Sequence, residues 1–466
     1  MHMSRFVRRA ALPALLAILV GLVGSAGAQA GTKPNVGQRF IWRGNVRIFV
    51  GHSSPPTTKD CEQQLHIACY APFQLQNAYD LNALYHGGWD GTGSTIAIVD
   101  SFGSPTAKAD LDQFDADFGL PAPPSFKVIQ PAGKVPPFDP SNGDMVNWAV
   151  ETSLDVQWSH AIAPGANILL VETPVSETEG VHGLPQMMTA ENYVINNGLA
   201  DVISQSFAAT EETFPNNASI RGLRGAYQNA KAHHVTIVGA TGDAGATQFK
   251  RNITDYYRHR VTAWPSTDPL VTAVGGTQLH LDADGNRTAP DNVWNDSFNS
   301  NVNGGTPSPI SGGGGASHVF PRPKFQNSVS SVTGDARGVP DISMSAAVDG
   351  GVLTYLGFLG GNSGYYIIGG TSEATPEFAG VVAIADQAAG HDLGFLNPLL
   401  YKLGTGGASG IVDITKGDNT VQFTQGGNTY TVKGFKAVKG YDLASGLGTP
   451  DAAKLVMALA GMSPSH

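Results

Sequence analysis

The segment TIAIV, residues 95–99, is a short apolar run that ends directly on an acid, Asp100. Three other runs have the same form, a few apolar residues leading straight into a polar or small residue: 168–171 before Glu172, 202–203 before Ser204 and 235–238 before Gly239. Segments of helical length lie between them, for example 144–162 and 220–234. Short apolar strands that alternate with helices are typical of a parallel sheet covered on both faces. The sequence therefore predicts an α/β fold with a mostly parallel central sheet flanked by helices, and we expect its chemistry at the carboxyl ends of the strands.

The composition excludes several classes of protein. Of the 466 residues, 41% are apolar and 14% are charged, which a wholly disordered chain would not show. Lys and Arg number 28 against 38 Asp and Glu, a formal net charge of −10, and no basic cluster follows residue 10. Binding to nucleic acid or to anionic membranes needs clustered positive charge, so we expect neither partner.

Residues 1–30 have the pattern of a secretion signal. Arg5, Arg8 and Arg9 precede an uncharged run at 10–23, and Ala28-Gln29-Ala30 offers a cleavage site. A membrane anchor, which would need about 20 apolar residues, is the alternative. We therefore expect a secreted protein with no membrane-spanning segment after removal of the signal.

The chain has two cysteines, Cys61 and Cys69. In an exported protein such a close pair most simply forms one local disulfide, with free thiols as the alternative. No matching pair of His residues accompanies them, so a zinc site is a poor interpretation.

Glu151 and Asp155 are spaced i, i+4 on the predicted helix 144–162 and therefore share one helix face. They lie at the margin of an apolar stripe that includes Leu154 and Trp158. A half-buried pair of carboxyl groups resists double ionisation, so one member should keep its proton to higher pH. Two solvated surface acids are the alternative interpretation.

Ser372 follows the bend Gly369-Gly370-Thr371 and stands at the start of a predicted helix. In that position its hydroxyl can lie beside backbone N–H groups that meet a developing oxyanion. An ordinary helix N-cap, which is often Ser, is the alternative.

Asp243 lies between Gly242 and Ala244-Gly245, just after the predicted strand 235–238. Glycines around one acid at the carboxyl end of a strand suit a site that another group approaches closely. A plain Asp-Gly turn explains the pattern equally well.

These three motifs resemble, in order and approximate spacing, those of the sedolisin family of serine-carboxyl peptidases. Further matches are WPSTDPLVTAVGGT at 264–277, SGGGGAS at 311–317, the run 320–326 and RGVPDISMSA at 337–346. The resemblance covers roughly residues 70–461. It implies a subtilisin-like α/β fold and a secreted endopeptidase that hydrolyses proteins or peptides in acidic media.

Carried over by position, the resemblance implies that Ser372 is the nucleophile, Glu151 the general base, Asp155 its supporting acid and Asp243 the oxyanion-hole acid. A Glu, with an ordinary pKa of about 4.3, can accept a proton in acid, where a His with a pKa of about 6.5 is already protonated. An Asp stabilises an oxyanion only while it is protonated. We expect Glu151 to lie near Ser372 and within hydrogen-bond reach of Asp155.

The resemblance also implies a calcium-binding loop near the C-terminus, with an empty acidic loop as the alternative. The segments around Asp413 and before SGLGTP at 445–450 are similar to the family's calcium site. By position, the ligands of one structural ion would be the side chains of Asp413 and Asp442 and the carbonyls of Ile414, Val438 and Gly440. Hard oxygen ligands on a Gly-rich loop suit calcium. Val438 stands where the family usually has Gly.

The resemblance divides the chain into a signal at 1–30, a short N-terminal segment at 31–69 and a peptidase catalytic domain at 70–466. The family usually carries a long folded propeptide, for which residues 31–69 are too few, so we expect a short pro-segment. Phe207-Ala208-Ala209 occupies a place where the family tends to have a Gly. The substrate-binding edge is therefore expected to differ.

Two other functions fit parts of the sequence. A neutral subtilisin would use Asp100, a His and Ser372, but none of the 13 His residues stands at a Gly-flanked helix start between the other two. A secreted binding protein on a catalytically retired sedolisin-like fold would not need the acid pair, Asp243 and Ser372 together. We expect a monomer that acts on protein or peptide substrates.

Overall fold

The computed structural model of the protein describes residues 35–42, 45–404 and 409–462, so the predicted signal at 1–30 lies outside it. The strands of the described residues are, in chain order, β1 Arg39–Trp42, β2 Asn45–Gly51, β3 Cys69–Tyr70, β4 Thr95–Ser101, β5 Phe126–Ile129, β6 Asn167–Thr173, β7 Val202–Gln205, β8 Ala209–Thr210, β9 Thr236–Ala240, β10 Ala263–Trp264, β11 Thr272–Gln278, β12 Asn292–Val293, β13 Gly315–Pro321, β14 Ala336–Val339, β15 Ile342–Ser345, β16 Gly351–Leu356, β17 Gly364–Ile368, β18 Ile411–Val412, β19 Val421–Gln425, β20 Asn428–Val432 and β21 Thr449–Pro450. The α-helices of the same residues are α1 Thr58–Leu65, α2 Pro72–Ala78, α3 Leu81–His86, α4 Ala107–Phe118, α5 Gly143–Ile162, α6 Leu184–Asn196, α7 Asn217–Arg221, α8 Gly225–Ala232, α9 Ser300–Asn303, α10 Ser330–Thr333, α11 Thr371–Ala389, α12 Asn397–Leu403 and α13 Ala452–Leu459.

A mostly parallel sheet forms the centre of the fold. Its order among the described residues is β12-β11-β9-β7-β4-β6-β5, with β15 also paired to β11. Neighbouring strands run parallel except β12, which pairs antiparallel with β11. The four apolar runs found in the sequence are β4, β6, β7 and β9, and these strands lie side by side. The predicted fold class is therefore confirmed.

Helices cover both faces of this sheet. Successive side chains of a strand point to opposite faces, so β4 contributes to two cores. Ile96 and Ile98 lie in a core with residues of α5 and α11. Ala97 and Val99 lie in a second core, with residues of α6 and α8. Burial on both faces explains why the strand is apolar throughout.

One of the two predicted helices is confirmed. The other is wrong, because the structure has two helices in its place. The predicted helix 144–162 is α5, which begins after Asn142, whose side-chain oxygen accepts hydrogen bonds from the next turn. The predicted helix 220–234 is divided into α7 and α8. Gly222 ends α7, because a Gly loses more backbone entropy in a helix than any other residue.

The N-terminal segment is built into the same fold. β2 pairs antiparallel with β1 and with β17, which gives a second sheet in the order β1-β2-β17-β16-β3. Val46 and Ile48 of β2 enter the same core as α5. Cys61 and Cys69 form a disulfide, as predicted. Every helix of the described residues is too short or too polar to span a bilayer.

Candidate active site

Glu151 and Asp155 lie one turn apart on α5, and both are buried. Glu151 is 8% exposed and Asp155 is 0% exposed. They are enclosed because α5 packs against both the sheet and α11, and nearly all of its residues are buried. The alternative of two solvated surface acids is therefore wrong.

Ser372 is the second residue of α11, which begins directly after the bend that follows β17. The N-cap of α11 is Gly370 rather than Ser372, so the N-cap alternative is wrong. Gly370 has a φ of 140°, and a Cβ atom there would lie 2.8 Å from Asp243 Oδ2. The bend needs Gly, and it brings Asp243 close to the start of the helix that carries Ser372.

Asp243 is hydrogen-bonded to the residue before Ser372. Its Oδ1 accepts bonds from the backbone N–H of Thr371 at 2.8 Å and from the Thr371 hydroxyl at 2.8 Å. The same hydroxyl accepts a bond from the backbone N–H of Gly242 at 3.0 Å. These bonds join the loop after β9 to the start of α11. Asp243 thus holds two elements together, which a plain turn would not require.

A cleft of about 150 Å³ opens onto these side chains. Its lining includes Glu151, Asp243 and Ser372, together with Ser206, whose hydroxyl donates to the Ser372 carbonyl oxygen at 3.4 Å. The described residues that line the cleft include no His, Lys or Arg. The base available to the Ser372 hydroxyl is therefore a carboxylate. The constellation of a neutral subtilisin, with a His beside Ser372, is not formed.

Burial controls the protonation of these acids. It raises the pKa of Glu151 and of Asp155 well above the ordinary range, and the charge of Asp100 raises the pKa of both further. A hydrogen bond with the Ser372 hydroxyl acts in the opposite direction on the pKa of Glu151. Burial also raises the pKa of Asp243 to about 6. Hydroxyl groups act in the same opposing direction on the pKa of Asp155 and of Asp243, through Ser206 and Thr371 respectively, so burial outweighs these polar contacts at all three acids.

The expected hydrogen bond between Glu151 and Asp155 is not formed. Both carboxyl oxygens of Asp155 lack a hydrogen-bond partner among the described residues. Two carboxyl groups bond only by sharing a proton, and the i, i+4 spacing makes them neighbours without forcing them together. The pair interacts through charge instead.

Comparison with known proteins decides the family. Residues 144–398, more than half of the chain, match the Subtilase family. Kumamolisin from Bacillus sp. (strain MN-32) is 30% identical over 84% of this chain and 63% of its own length. The structure of Pseudomonas sedolisin with two molecules of pseudo-iodotyrostatin superposes with a TM-score of 0.69, at 27% identity over 85% of this chain and 99% of that chain. The chain belongs to the sedolisin family of subtilases. The resemblance carried by its motifs is thereby confirmed.

The chain spans only part of its curated relatives. It covers 63% of kumamolisin and 57% of sedolisin from Pseudomonas sp. (strain 101), to which it is 30% identical over 78% of its own residues. Family membership therefore establishes the fold.

Asp100 also belongs to the site, although the sequence analysis does not place it beside Glu151 and Asp155. It ends β4 with 0% exposure, and neither of its carboxyl oxygens has a hydrogen-bond partner among the described residues. Burial raises its pKa to about 7, and its charge acts on Glu151 and Asp155. The sequence signal for such a residue is an acid directly at the end of an apolar strand, which the sequence analysis relates only to a neutral subtilisin.

A second buried acid pair, Glu373 and Glu377, directly follows Ser372 on α11. Both residues are 0% exposed, and none of their carboxyl oxygens has a hydrogen-bond partner among the described residues. Burial raises the pKa of each well above the ordinary range. The i, i+4 spacing that drew attention to Glu151 and Asp155 is repeated here and could have revealed this pair.

The residues of the predicted calcium site lie on two loops, one before β19 and one before β21, which are hydrogen-bonded to each other. Asp413 Oδ2 accepts a hydrogen bond from the Gly440 N–H at 2.9 Å, and Asp442 Oδ2 accepts one from the Val438 N–H at 3.0 Å. Asp413 Oδ1 is buried without a hydrogen-bond partner among the described residues, which a hard cation would supply. Residues 35–42, 45–404 and 409–462 contain no group of three or more His, Cys, Asp or Glu placed to hold a metal.

Proposed function

We propose that this chain is a secreted serine-carboxyl endopeptidase that hydrolyses peptide bonds in proteins under acidic conditions. One observation carries the proposal: Glu151, Asp243 and Ser372 line one cleft whose described lining has no His, and the Ser372 hydroxyl is hydrogen-bonded to Glu151. A hydroxyl with a carboxylate base on one side and an acid on the other is arranged for acyl transfer. The sedolisin and kumamolisin relatives support the same reaction class.

The reaction follows from the protonation states. Ionised Glu151 takes the Ser372 proton while Oγ attacks the substrate carbonyl carbon, and the carbonyl oxygen becomes an oxyanion. Protonated Asp243 donates a hydrogen bond to that oxyanion. Glu151 then gives the proton to the leaving amine, and an acyl-enzyme remains on Ser372. Water attacks the acyl-enzyme with Glu151 again as base, and Asp155 holds the neighbouring proton throughout.

Acid suits the oxyanion donor of this mechanism, whereas the base has to stay ionised against the burial that raises the pKa of Glu151. Asp243 donates only while protonated, and burial raises its pKa to about 6, so the donor is present below that pH and is lost above it. Glu151 must be ionised at the same pH. The Ser372 hydroxyl favours its charged form, and neutral Asp155 and Asp100 leave room for one negative charge.

We propose a calcium ion as a structural partner, held by the side chains of Asp413 and Asp442 and the carbonyls of Ile414, Val438 and Gly440. When bound, the ion would supply positive charge to the half-buried Asp413 and the buried Asp442, and it would cross-link the loop before β19 to the loop before β21. It takes no part in the reaction at Ser372.

The decisive experiment is hydrolysis of a denatured protein between pH 2 and pH 8 by the wild-type chain, Ser372→Ala and Glu151→Gln. We expect wild-type activity below about pH 6 and near-complete loss in both variants. Mass spectrometry of the products distinguishes cleavage within the substrate chain from the release of short peptides at its ends. Equal activity in all three proteins would end the peptidase assignment and favour a binding protein, and wild-type activity confined to neutral pH would contradict the acid mechanism.

A further inference from the structure

The loop between β9 and β10 carries a group of positive charges beside the cleft. Residues 249–260 include four Lys and Arg residues and one acid, and the segment 428–436 includes two lysines and no acid. We define the basic surface as the side chains of Lys250, Arg251, Arg258, Arg260, Lys433 and Lys436. The whole chain has a formal net charge of −10, so this concentration of cations runs against its overall balance.

Side-chain contacts join the two segments into one surface. The Arg260 Nε donates to the Lys433 carbonyl oxygen at 2.7 Å, and its Nη2 donates to that of Gly434 at 2.9 Å. The Arg258 guanidinium lies 4.0 Å from the ring centroid of Tyr430 on β20. Arg260 and Lys433 are 173 positions apart in the chain, which explains why the sequence shows no basic run here.

The cations of the basic surface have no carboxylate partner within the part of the chain that the structure describes. The ion pairs formed there include none of the six side chains. Both segments are open to solvent at Arg251, Arg258, Arg260, Lys433 and Lys436. Stacking on a ring leaves the N–H groups at the edge of a guanidinium, where a carboxylate can bind two of them at once. The surface therefore offers donors and positive charge to an anion from outside.

The acids near the basic surface have partners of their own. Asp255 lies in the loop itself, the charges of Glu179 and Glu212 act on Tyr257, and the backbone of Asp418 bridges to Lys436. Each of these four carboxyl groups accepts a hydrogen bond or forms an ion pair close by, with Asn252, Thr210, His318 and the Thr420 N–H respectively. The cations are therefore left for a carboxylate of another molecule.

The basic surface is continuous with the cleft that opens onto Ser372. Phe249 and Ile253, from the same loop, line the cleft. The Phe249 ring lies 4.4 Å from that of Tyr256, which lies 5.1 Å from that of Phe423 on β19, centroid to centroid. A row of rings thus leads from the cleft to the hairpin of β19 and β20. A peptide that extends from the cleft past Phe249 reaches the basic surface.

We propose that the basic surface is an exosite, a binding surface outside the cleft, for an acidic segment of the peptide substrate on one side of the scissile bond. The inference rests on the proposed function as a peptidase and names a class of substrate for it. Continuity with the cleft favours a substrate over a nucleic acid or an anionic membrane, because neither of those needs the cleft.

The titration of the substrate gives this exosite a characteristic pH dependence. Asp and Glu of an unfolded peptide titrate near pH 4, whereas Lys and Arg stay positively charged throughout the acidic range. The preference for an acidic segment should therefore be present near pH 5 and lost near pH 3. A ratio of kcat/KM values for two peptides at one pH cancels the titration of the catalytic residues, so this loss can be measured separately.

The test compares peptides that share one cleavage sequence and carry a tract of Glu or of Gln on its N-terminal or its C-terminal side. Near pH 5 and at low salt, we expect the Glu tract to raise kcat/KM about threefold to tenfold over the Gln tract, on one side of the cleavage sequence only. High salt should remove the difference, because it screens exposed charges.

Variants assign the preference to the basic surface. Arg258→Gln should reduce it, Arg258→Lys should keep most of it, and both should hydrolyse the Gln peptide as the wild type does. If Arg258→Gln does not fold, the double variant Lys433→Gln with Lys436→Gln tests the same surface. Lys127→Gln is the matched control, since Lys127 is exposed on β5 at the edge of the central sheet. It should leave the preference unchanged.

Equal kcat/KM for the Glu and Gln peptides near pH 5, or a preference that both sets of variants leave intact, would overturn the proposal. Fluorescence anisotropy of labelled peptides with Ser372→Ala gives a readout that does not need hydrolysis. Tighter binding of the Glu peptide, weakened by Arg258→Gln, supports the exosite even if the peptidase assignment fails. Binding to a sulfated polysaccharide or to anionic vesicles, without discrimination between the two peptides, would assign the surface to another partner and sink the inference.

Discussion

Asp243 has one oxygen on which a catalytic proton can sit. Its Oδ1 already accepts two hydrogen bonds, from the N–H and from the hydroxyl of Thr371. The proton therefore belongs on Oδ2, the oxygen that lies beside Gly370 at the start of α11. The geometry thus separates two functions within one carboxyl group: one oxygen orients the side chain and the other donates.

Asp243→Asn should preserve both functions and remove the titration. The amide keeps an acceptor for Thr371 and presents an N–H that does not depend on pH. Because burial raises the pKa of Asp243 to about 6, the wild type loses its oxyanion donor as the pH rises through that value. We expect the alkaline limb of the kcat/KM profile to move upward in Asp243→Asn. Asp243→Ala should lose about 10²–10³-fold at every pH, and an alkaline limb unchanged by Asn would contradict this role.

At the scale of elements, the distance between base and nucleophile is set by the packing of α5 on α11. The two helices approach closely at Gly380, where a Cβ atom would lie 2.8 Å from both Cβ and Cγ2 of Ile162 and 3.3 Å from the Ser159 carbonyl oxygen. Ile162 is the last residue of α5. The absence of a side chain at position 380 therefore lets the two helices approach.

Gly380→Ala should push the two helices apart. Ala gains about 1 kcal/mol of helix propensity, but overpacking against Ile162 costs about 1–3 kcal/mol, and we expect the strain to prevail. A displacement of Ser372 from Glu151 by a fraction of an ångström should also lower kcat. Unfolding by denaturant and steady-state kinetics measure the two effects. Gly225→Ala is the control, because that helical glycine has nothing within 4 Å of an added Cβ and should be neutral or stabilising.

The loops that carry Asp413 and Asp442 lead to a prediction about metal removal. If calcium completes the partnerless Asp413 Oδ1, a chelator should lower Tm, and added calcium should restore it. Asp413→Asn should have a lower Tm than the wild type and should no longer respond to the chelator. Thermal unfolding with and without chelator, with magnesium as the ionic control, measures this. A wild-type Tm that is indifferent to chelation would remove the ion from the account.

The elements and residues that could be predicted from the sequence share one property: a short local sequence pattern identifies each of them. The apolar strands β4, β6, β7 and β9 and the acid spacing on α5 are legible within a few residues. Asp100 is different, because its influence on Glu151 and Asp155 arises from packing with α5, which is distant from it in the chain. The sequence does not reveal the division between α7 and α8, because the hydrophobic pattern continues across Gly222 although the helix ends there.

At the scale of the whole molecule, the protein buries many acidic side chains in surroundings that disfavour their charged form. Burial raises the pKa of residues in both cores and at the site, including Asp115 to about 7 and Asp386 to about 8, as well as Asp110 and Asp296 to about 6. The native state therefore binds protons more tightly than the unfolded chain, in which Asp and Glu titrate near pH 4. Such groups stabilise the fold fully in acid and progressively less as the pH rises.

The free energy of unfolding should consequently fall between about pH 4 and pH 8, as each raised pKa is passed. Each unit by which burial raises a pKa costs about 1.4 kcal/mol once the pH exceeds the raised value.

Glu377 isolates the effect, since it is 0% exposed, neither carboxyl oxygen has a hydrogen-bond partner among the described residues, and burial raises its pKa well above the ordinary range. Glu377→Gln cannot ionise, so its stability should decline less steeply with pH than that of the wild type. Glu62→Gln, on the exposed face of α1, should keep the wild-type slope. Denaturant unfolding of an inactive Ser372→Ala background at several pH values measures the slopes without self-digestion, and a Glu377→Gln slope equal to that of the wild type would show that this buried acid is not held protonated by the fold.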